Sequence, residues 1–244
     1  MTPEPSIIFQ SANWIIINKP SGWHTVRPRR PRGWPSPRSP QPSPCQHNAP
    51  NDAPTVEQWV IQQNLTAPDL PEAGILHRLD QQTSGCLLIA KTLEAWDTLK
   101  TIVRTGSDVR KTYLAVIPPG LEPTTGRFSF YFTSRYRRSK KVTVFDTGEA
   151  RHRGVCDWRI IQQNISPDTR ADLVEIKIIG PGRRHQIRAG LAHLGFPIHG
   201  DERYGGIAPW AGGFGLHAWK LCIRNQDEVI APIPVDWPVT PSFR

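Results

Sequence analysis

The sequence predicts an α+β protein built around a mixed, mainly antiparallel sheet. The chain has 244 residues, which is enough for one large domain with its own core. Short apolar runs that are typical of strands outnumber the segments with helical periodicity. They do not alternate regularly with helices, as a doubly wound parallel sheet requires. We therefore expect residues 1–244 to form a single domain.

The individual elements follow from local periodicity and from a helix cap. Two apolar runs at residues 7–9 and 14–17 predict two strands joined by a turn. Thr55 and Gln58 form a capping box at the start of a predicted helix. Further along, the pattern predicts strands at 85–90, 111–117, 174–178 and 216–223 and helices at 93–104 and 185–194.

The charge balance favours a polyanionic partner. The chain carries 30 Lys and Arg against 21 Asp and Glu, a net charge of +9. Such an excess is typical of nucleic-acid binding, although it can also serve solubility alone. No apolar stretch is long enough to span a membrane, and the first residues lack the pattern of a secretory signal.

The four cysteines are expected to be free thiols. None belongs to a CxxC motif or has the spacing of a metal ligand set. Free thiols are typical of a reducing compartment, so we expect a cytoplasmic protein without structural zinc. The cysteines are Cys45, Cys86, Cys156 and Cys222.

A proline-rich segment interrupts the pattern at about residues 26–53. Ten of the 25 prolines lie at positions 20 to 54, and proline excludes helices and inner strands. We expect a long irregular loop. Its arginines can form an RNA-contacting arm that orders on binding, or the loop is a solvated insertion without a role.

The densest polar cluster lies at residues 77–85, directly before a predicted buried strand. Asp80 stands there beside two potential cations, His77 and Arg78. A paired carboxylate stays ionised and can act as a nucleophile or a base. The alternative is a turn in which Asp80 only caps the backbone.

Two further clusters are strongly basic. Residues 182–188 contain Arg183, Arg184 and Arg188 around a predicted helix start, where an anion can bind. Residues 135–141 hold five cations and Tyr136, an arrangement suited to phosphate contacts and base stacking. Each cluster can instead be a solvated surface.

One stretch resembles a known family signature. His77-Arg78-Leu79-Asp80, two further residues and then Thr83-Ser84-Gly85 resemble the signature of RluA-type pseudouridine synthases. Seven fixed residues in nine make this motif far more specific than a lone GxGxxG. Weaker matches follow in the family's order at 18–22, 111–113, 182–188, 200–205 and 216–218, so the resemblance covers about residues 7–223.

The resemblance implies a catalytic domain with a central cleft in a mixed, mainly antiparallel sheet. It implies that uridine in ribosomal or transfer RNA is isomerised to pseudouridine without a metal or another cofactor. The N-glycosidic bond breaks, the base turns, and C5 becomes bonded to the ribose. We expect a monomer without an N-terminal S4-like RNA-binding domain.

The resemblance also assigns roles to residues. Asp80 attacks C1′ or removes the C2′ proton, and both routes stay open. Arg183 is expected to pair with Asp80 and keep it ionised. Tyr113 is expected to face the flipped uracil and its C5 proton, and Ile187 to line the pocket. Arg78 is expected to fill the space that the base leaves or to grip its phosphate. The full set of expected RNA contacts is His77, Arg78, Arg137, Arg138, Arg184, Ile187 and Arg188.

Two positions depart from the family pattern. Gly190 stands where the family has a histidine, and Pro181 stands where it has a threonine. Both lie beside the helix on the substrate side, so they concern the choice of substrate more than the reaction.

Two other functions remain open. A catalytically inactive RNA-binding protein on the same scaffold would be expected to lack Asp80, Tyr113 or Arg183, and all three are present. A glycosidase acting on nucleosides would need two catalytic carboxylates, whereas only Asp80 stands in a strong motif.

Overall fold

The computed structural model describes residues 3–27, 53–134, 136, 139–165, 170–206, 213–224 and 226–237. Most of the proline-rich segment, together with Arg137 and Arg138, lies outside these residues. The described helices are α1 (Val56–Gln62), α2 (Leu93–Thr105) and α3 (Gln186–His193). The described strands are β1 (Ser6–Gln10), β2 (Trp14–Lys19), β3 (Ser84–Ala90), β4 (Val109–Ile117), β5 (Thr125–Thr133), β6 (Thr143–Phe145), β7 (Arg153–Gln162), β8 (Asp172–Ile179), β9 (Leu216–Ile223) and β10 (Val229–Ile230).

All ten described strands belong to one sheet. Their order is β1-β2-β3-β9-β4-β8-β7-β5-β6, and β10 pairs with β9. The pairing is antiparallel throughout except between β3 and β9, which run parallel. This architecture confirms the predicted α+β class. None of the helices in the described ranges is long and apolar enough to cross a membrane.

The predicted elements are present with small shifts at their ends, but four strands were not predicted. The missed strands are β5, β6, β7 and β10. β5 and β7 carry polar and aromatic residues in place of the apolar runs that marked the other strands. The two strands lie side by side in the sheet as an antiparallel pair. The predicted cap of α1 is confirmed, because the Gln58 backbone N–H donates to Thr55 Oγ1 at 3.2 Å.

The central strands β2 and β3 are buried on both faces. Ile15 and Ile17 face the larger core, which also contains apolar residues of α1 and α3. Ile16 points to the opposite core, which is closed by α2. Burial on both sides explains why these strands are continuous apolar runs, since neither face can carry polar side chains to water.

The parallel junction of β3 and β9 fixes the loop that precedes β3. Ser84 Oγ lies 2.8 Å from His217 Nδ1, and both side chains are buried. Gly85 has a φ of +106°, and a Cβ there would lie 2.2 Å from the carbonyl oxygen of Ala218. The signature residues Ser84 and Gly85 are therefore required by strand packing, and they hold Asp80 at a defined position before the sheet.

The glycine that departs from the family pattern allows a ring to pack on α3. A Cβ at Gly190 would lie 2.7 Å from Cε2 and Cζ of Phe128, a buried residue of β5. Phe128 also stacks on Phe130 with a centroid distance of 5.2 Å. The ring of Phe128 thus occupies the space that a side chain at position 190 would need.

We predict that Gly190→Ala destabilises the protein although alanine favours helices. Overpacking typically costs about 1–3 kcal/mol, which exceeds the gain of up to about 1 kcal/mol from helix propensity. Urea unfolding of Gly190→Ala, Phe128→Leu and the double variant measures the coupling. The double variant should lose less stability than the two single losses combined. Additive losses would show that Phe128 does not fill this space.

Candidate active site

A cationic cleft opens at the centre of the sheet. Its volume is about 870 Å³, and it is lined by the loop before β3, by β4 and by the segment that leads from β8 into α3. Asp80 is the single acidic residue among those that line it. Eight of the ten predicted site residues line the cleft, and Arg137 and Arg138 lie outside the described residues. The lining cations are Arg78, Arg104, Lys111, Arg183, Arg184, Arg188 and Arg203.

A buried lysine holds the loop that carries Asp80. Lys19 Nζ donates to the carbonyl oxygens of Pro20, Trp23 and Gln81 at 2.9, 2.8 and 3.0 Å. Three acceptors match the three N–H groups of an ammonium. Burial lowers the pKa of Lys19 to about 7, and the charge of Asp80 opposes that shift. Sequence reasoning noted Lys19 only as part of a family motif and missed this role.

Arg188 connects Asp80 to a second carboxylate. Its Nη1 donates to Asp80 Oδ2 at 2.7 Å. Its Nε and Nη2 donate to the two carboxylate oxygens of Asp201 at 2.7 and 2.8 Å. Asp201 is 1% exposed, whereas the Asp80 side chain is 28% exposed. Burial disfavours the charge of Arg188, but the hydrogen bonds to Asp201 and the charge of Asp80 outweigh it and raise the pKa of Arg188.

The predicted pairing of Arg183 with Asp80 is wrong. Arg183 Nε donates to the carbonyl oxygen of Arg153 at 2.8 Å. The chain turns at His185, whose φ is +52°, and α3 begins only at Gln186. Arg183 therefore precedes the helix, while Arg188 lies within it and turns toward Asp80.

Arg188 was also expected to contact RNA, and that role stays a prediction; among the described residues its hydrogen bonds go to the two carboxylates. One signal was available in the sequence. Arg188 stands in the otherwise apolar stretch Ile187-Arg188-Ala189-Gly190-Leu191, and the structure buries this helical segment. A buried charge requires a partner, and Asp201 provides it.

A neutral histidine contacts the other oxygen of Asp80. Tyr204 Oη accepts a hydrogen bond from the Val142 N–H and can donate its own hydrogen to His185 Nδ1, with both distances 2.8 Å. His185 Nε2 lies 3.5 Å from Asp80 Oδ1. Burial lowers the pKa of His185 to about 4, although the charge of Asp80 opposes this. Asp80 thus faces a cation on one oxygen and a neutral imidazole on the other.

Tyr113 lies on β4 with its ring in the larger core and also lines the cleft. Burial and the negative charge of Asp80 raise the pKa of its phenol, so the hydroxyl stays protonated at neutral pH. The role of Tyr113 toward the uracil stays a prediction, as does the role of Ile187, which is buried at the cleft wall.

From the sequence, His77 was expected to be a potential cation beside Asp80, but in the structure it is neutral. Its Nε2 accepts a hydrogen bond from the Leu88 backbone N–H at 3.1 Å, and burial lowers its pKa to about 3. It fastens the loop to β3 as a neutral imidazole. Arg78 and Arg184 are exposed at the cleft, where both can meet a phosphate.

The fold and the cleft agree with the family comparison. A family model described as RNA pseudouridylate synthase matches residues 13–193. The chain belongs to the RNA pseudouridylate synthase family. Human RNA pseudouridylate synthase domain containing 1 shares the fold, with a TM-score of 0.64 at 21% identity, covering 96% of this chain and 87% of that chain.

Curated relatives include two bacterial proteins. The chain is 27% identical over 224 residues to the dual-specificity RNA pseudouridine synthase RluA of Yersinia pestis, which covers 91% of this chain and 93% of that protein. It is 29% identical over 200 residues to the ribosomal large subunit pseudouridine synthase D of Xylella fastidiosa. This match covers 82% of this chain and 51% of that protein. The chain thus spans about half the length of this second relative.

We predict that Arg188→Lys lowers kcat/KM for pseudouridine formation at least ~100-fold. Lysine lacks the planar fork with which the arginine guanidinium binds two carboxylates. Each tenfold loss corresponds to about 1.4 kcal/mol. Arg183→Lys, the matched control in the same segment, should keep activity within about threefold because its guanidinium contacts a carbonyl oxygen. RNA from cells that lack the gene serves as substrate. Equal losses in the two variants would contradict the assignment of Arg188.

Proposed function

We propose that the protein isomerises specific uridines in RNA to pseudouridine, with Asp80 as the reacting carboxylate. The observation that carries this proposal is the arrangement of Asp80 in the cleft. It is the one carboxylate among seven cations that line the cleft, and it is partly exposed beside Arg188. A polyanion is drawn to such a surface, and a ribose can reach a partly exposed carboxylate.

The chemistry requires Asp80 to be ionised by either route. The carboxylate attacks C1′ or takes the C2′ proton, the bond from C1′ to N1 breaks, and the released uracil turns. C5 then bonds to C1′ as the bond from Asp80 to C1′ breaks or, in the other route, as the proton returns to C2′; the proton on C5 leaves and N1 takes up a proton. Reactant and product have the same atoms and oxidation state, so the proposed reaction consumes no oxidant, reductant or cofactor. Arg188 and the His185 imidazole stabilise the carboxylate before and after it reacts.

The remaining groups support binding of the flipped nucleotide. The protonated phenol of Tyr113 and the side chain of Ile187 offer a face for the uracil. Arg78, exposed beside Asp80, can hold the adjacent phosphate or fill the space that the base leaves. Arg183 contributes a positive charge at the cleft rim.

The substrate we propose is ribosomal RNA, with transfer RNA as the second candidate. Relatives named for the ribosomal large subunit support the first, and the dual specificity in the name of the Yersinia protein keeps the second open. We further propose that the chain acts as a single-domain monomer in the cytoplasm.

We predict that Asp80→Asn abolishes pseudouridine formation while RNA affinity changes less than about threefold, because the phosphate contacts supply affinity and Asp80 supplies the reaction. The assay measures tritium released from C5-labelled uridine in RNA from cells that lack the gene. Asp157→Asn, an exposed carboxylate on β7, is the matched control and should keep full activity.

Two outcomes would contradict the proposal. Tritium release by Asp80→Asn at the wild-type rate would remove Asp80 from the reaction. Tight RNA binding by the wild-type protein without any tritium release from any cellular RNA would favour the inactive RNA-binding protein.

A further inference from the structure

Lys111 occupies the cleft two residues before Tyr113. Both residues lie on β4 and, because side chains alternate along a strand, both face the cleft. Two residues of a strand advance by roughly 7 Å, so Lys111 lies that far along β4 from Tyr113, the residue expected to face the uracil. Lys111 pairs with Ile178 at the end of β8, which lines the same end of the cleft.

The ammonium of Lys111 has no acceptor among the described residues. The other described lysines that are not exposed each have an acceptor: Lys19 has three carbonyl oxygens, Lys91 has the carbonyl oxygen of Ser11, and Lys220 has Glu228. Lys111 is largely covered by protein, and burial lowers its pKa to about 8. Its charge also helps to lower the pKa of His77, which is neutral. A covered ammonium without an acceptor is costly unless a ligand supplies one.

Apart from Asp80, the titratable groups that share the cleft with Lys111 are cationic or neutral. Arg104 comes from the last turn of α2, Arg183 from the segment before α3 and Arg78 from the motif loop. His77 from that loop is neutral, and Tyr113 on β4 is protonated. Asp80 is the one carboxylate that lines the cleft, and it is already bound by Arg188.

The loop geometry brings these groups together. A Cβ at Gly106, at the end of α2, would lie 2.2 Å from the carbonyl carbon of Gly180, so this helix end packs directly on the loop after β8. Arg104 is thereby placed at the same end of the cleft as Lys111 and Gly182.

We propose that Lys111 and Arg104 form a subsite for the RNA phosphate next to the target uridine. An ammonium binds phosphate as a compact point charge and fits a covered position, while the exposed Arg104 closes the outer side of the same phosphate. The subsite rests on the proposed function, because it requires that the polyanion bound in the cleft is RNA.

The first test measures RNA binding in the Asp80→Asn background, with a short oligouridylate as the probe. Lys111→Met should lower the slope of log Kd against log salt by about 0.7, which is the contribution of one single-strand phosphate contact. Lys220→Met, which removes a lysine of β9 paired with Glu228, is the control and should leave the slope unchanged. Thermal melting of each variant establishes that it is folded. A wild-type slope in folded Lys111→Met would overturn the subsite.

The second test measures RNA affinity as a function of pH and does not require Lys111→Met. Lys111 is charged below its pKa, so wild-type affinity for the oligouridylate should fall as the pH rises through about 8. Lys111→Arg keeps its charge, so its affinity should not follow this decline. Lys19, with a pKa of about 7, is common to both proteins and cancels in the comparison. Identical pH profiles would overturn the subsite.

The two proposals fail in different ways. Both tests use binding alone, so they remain valid if the wild-type protein releases no tritium and the proposed reaction is wrong. If tritium is released, Lys111→Met in the otherwise wild-type chain should raise KM for RNA with kcat nearly unchanged. A fall in kcat at constant KM would instead place Lys111 in the reaction and overturn its role as a phosphate site.

Discussion

The buried guanidinium of Arg188 is the interaction on which the site depends. A charge in this position is unfavourable unless it is paired, and Arg188 contacts carboxylates on both sides. Asp201 is almost fully buried and neutralises the cation. The cluster therefore retains one negative charge, and that charge is on Asp80, the member that is open to the cleft. Two carboxylates and one arginine thus place an exposed anion in a cleft that is otherwise cationic.

The sheet topology brings the members of this cluster together. Asp80 precedes β3, and Arg188 follows β8, which is three positions away in the strand order. The strands between them are β9 and β4, and β4 carries Tyr113 and Lys111 across the cleft floor. The close approach of Gly85 to Ala218 and the contact between Ser84 and His217 fix where β3 begins. Small residues of the signature thereby set the position of Asp80, the proposed reacting group.

The sequence allowed much of this to be predicted, and the errors have physical causes. The apolar runs predicted β2, β3, β4, β8 and β9, while β5 and β7 lacked such runs. Asp80 followed from its motif. The arginine that contacts it was predicted to be Arg183 and is Arg188, although the start of α3 was predicted within one residue. The segment before α3 turns through the left-handed backbone of His185, a conformation that residues other than glycine seldom adopt and that no local pattern signals. Asp201 was missed because its pairing joins segments that no local pattern connects.

Both carboxylate oxygens of Asp201 are bound by Arg188, so Asp201 should act on the proposed reaction only through that guanidinium. The direct measurement is kcat/KM for pseudouridine formation in Asp201→Asn, Arg188→Lys and the double variant, with thermal melting to establish folding. Residues that act as a unit are non-additive, so the double variant should be no slower than Arg188→Lys alone. If the two losses multiply in the double variant, Asp201 contributes independently of Arg188 and the three residues do not act as one unit.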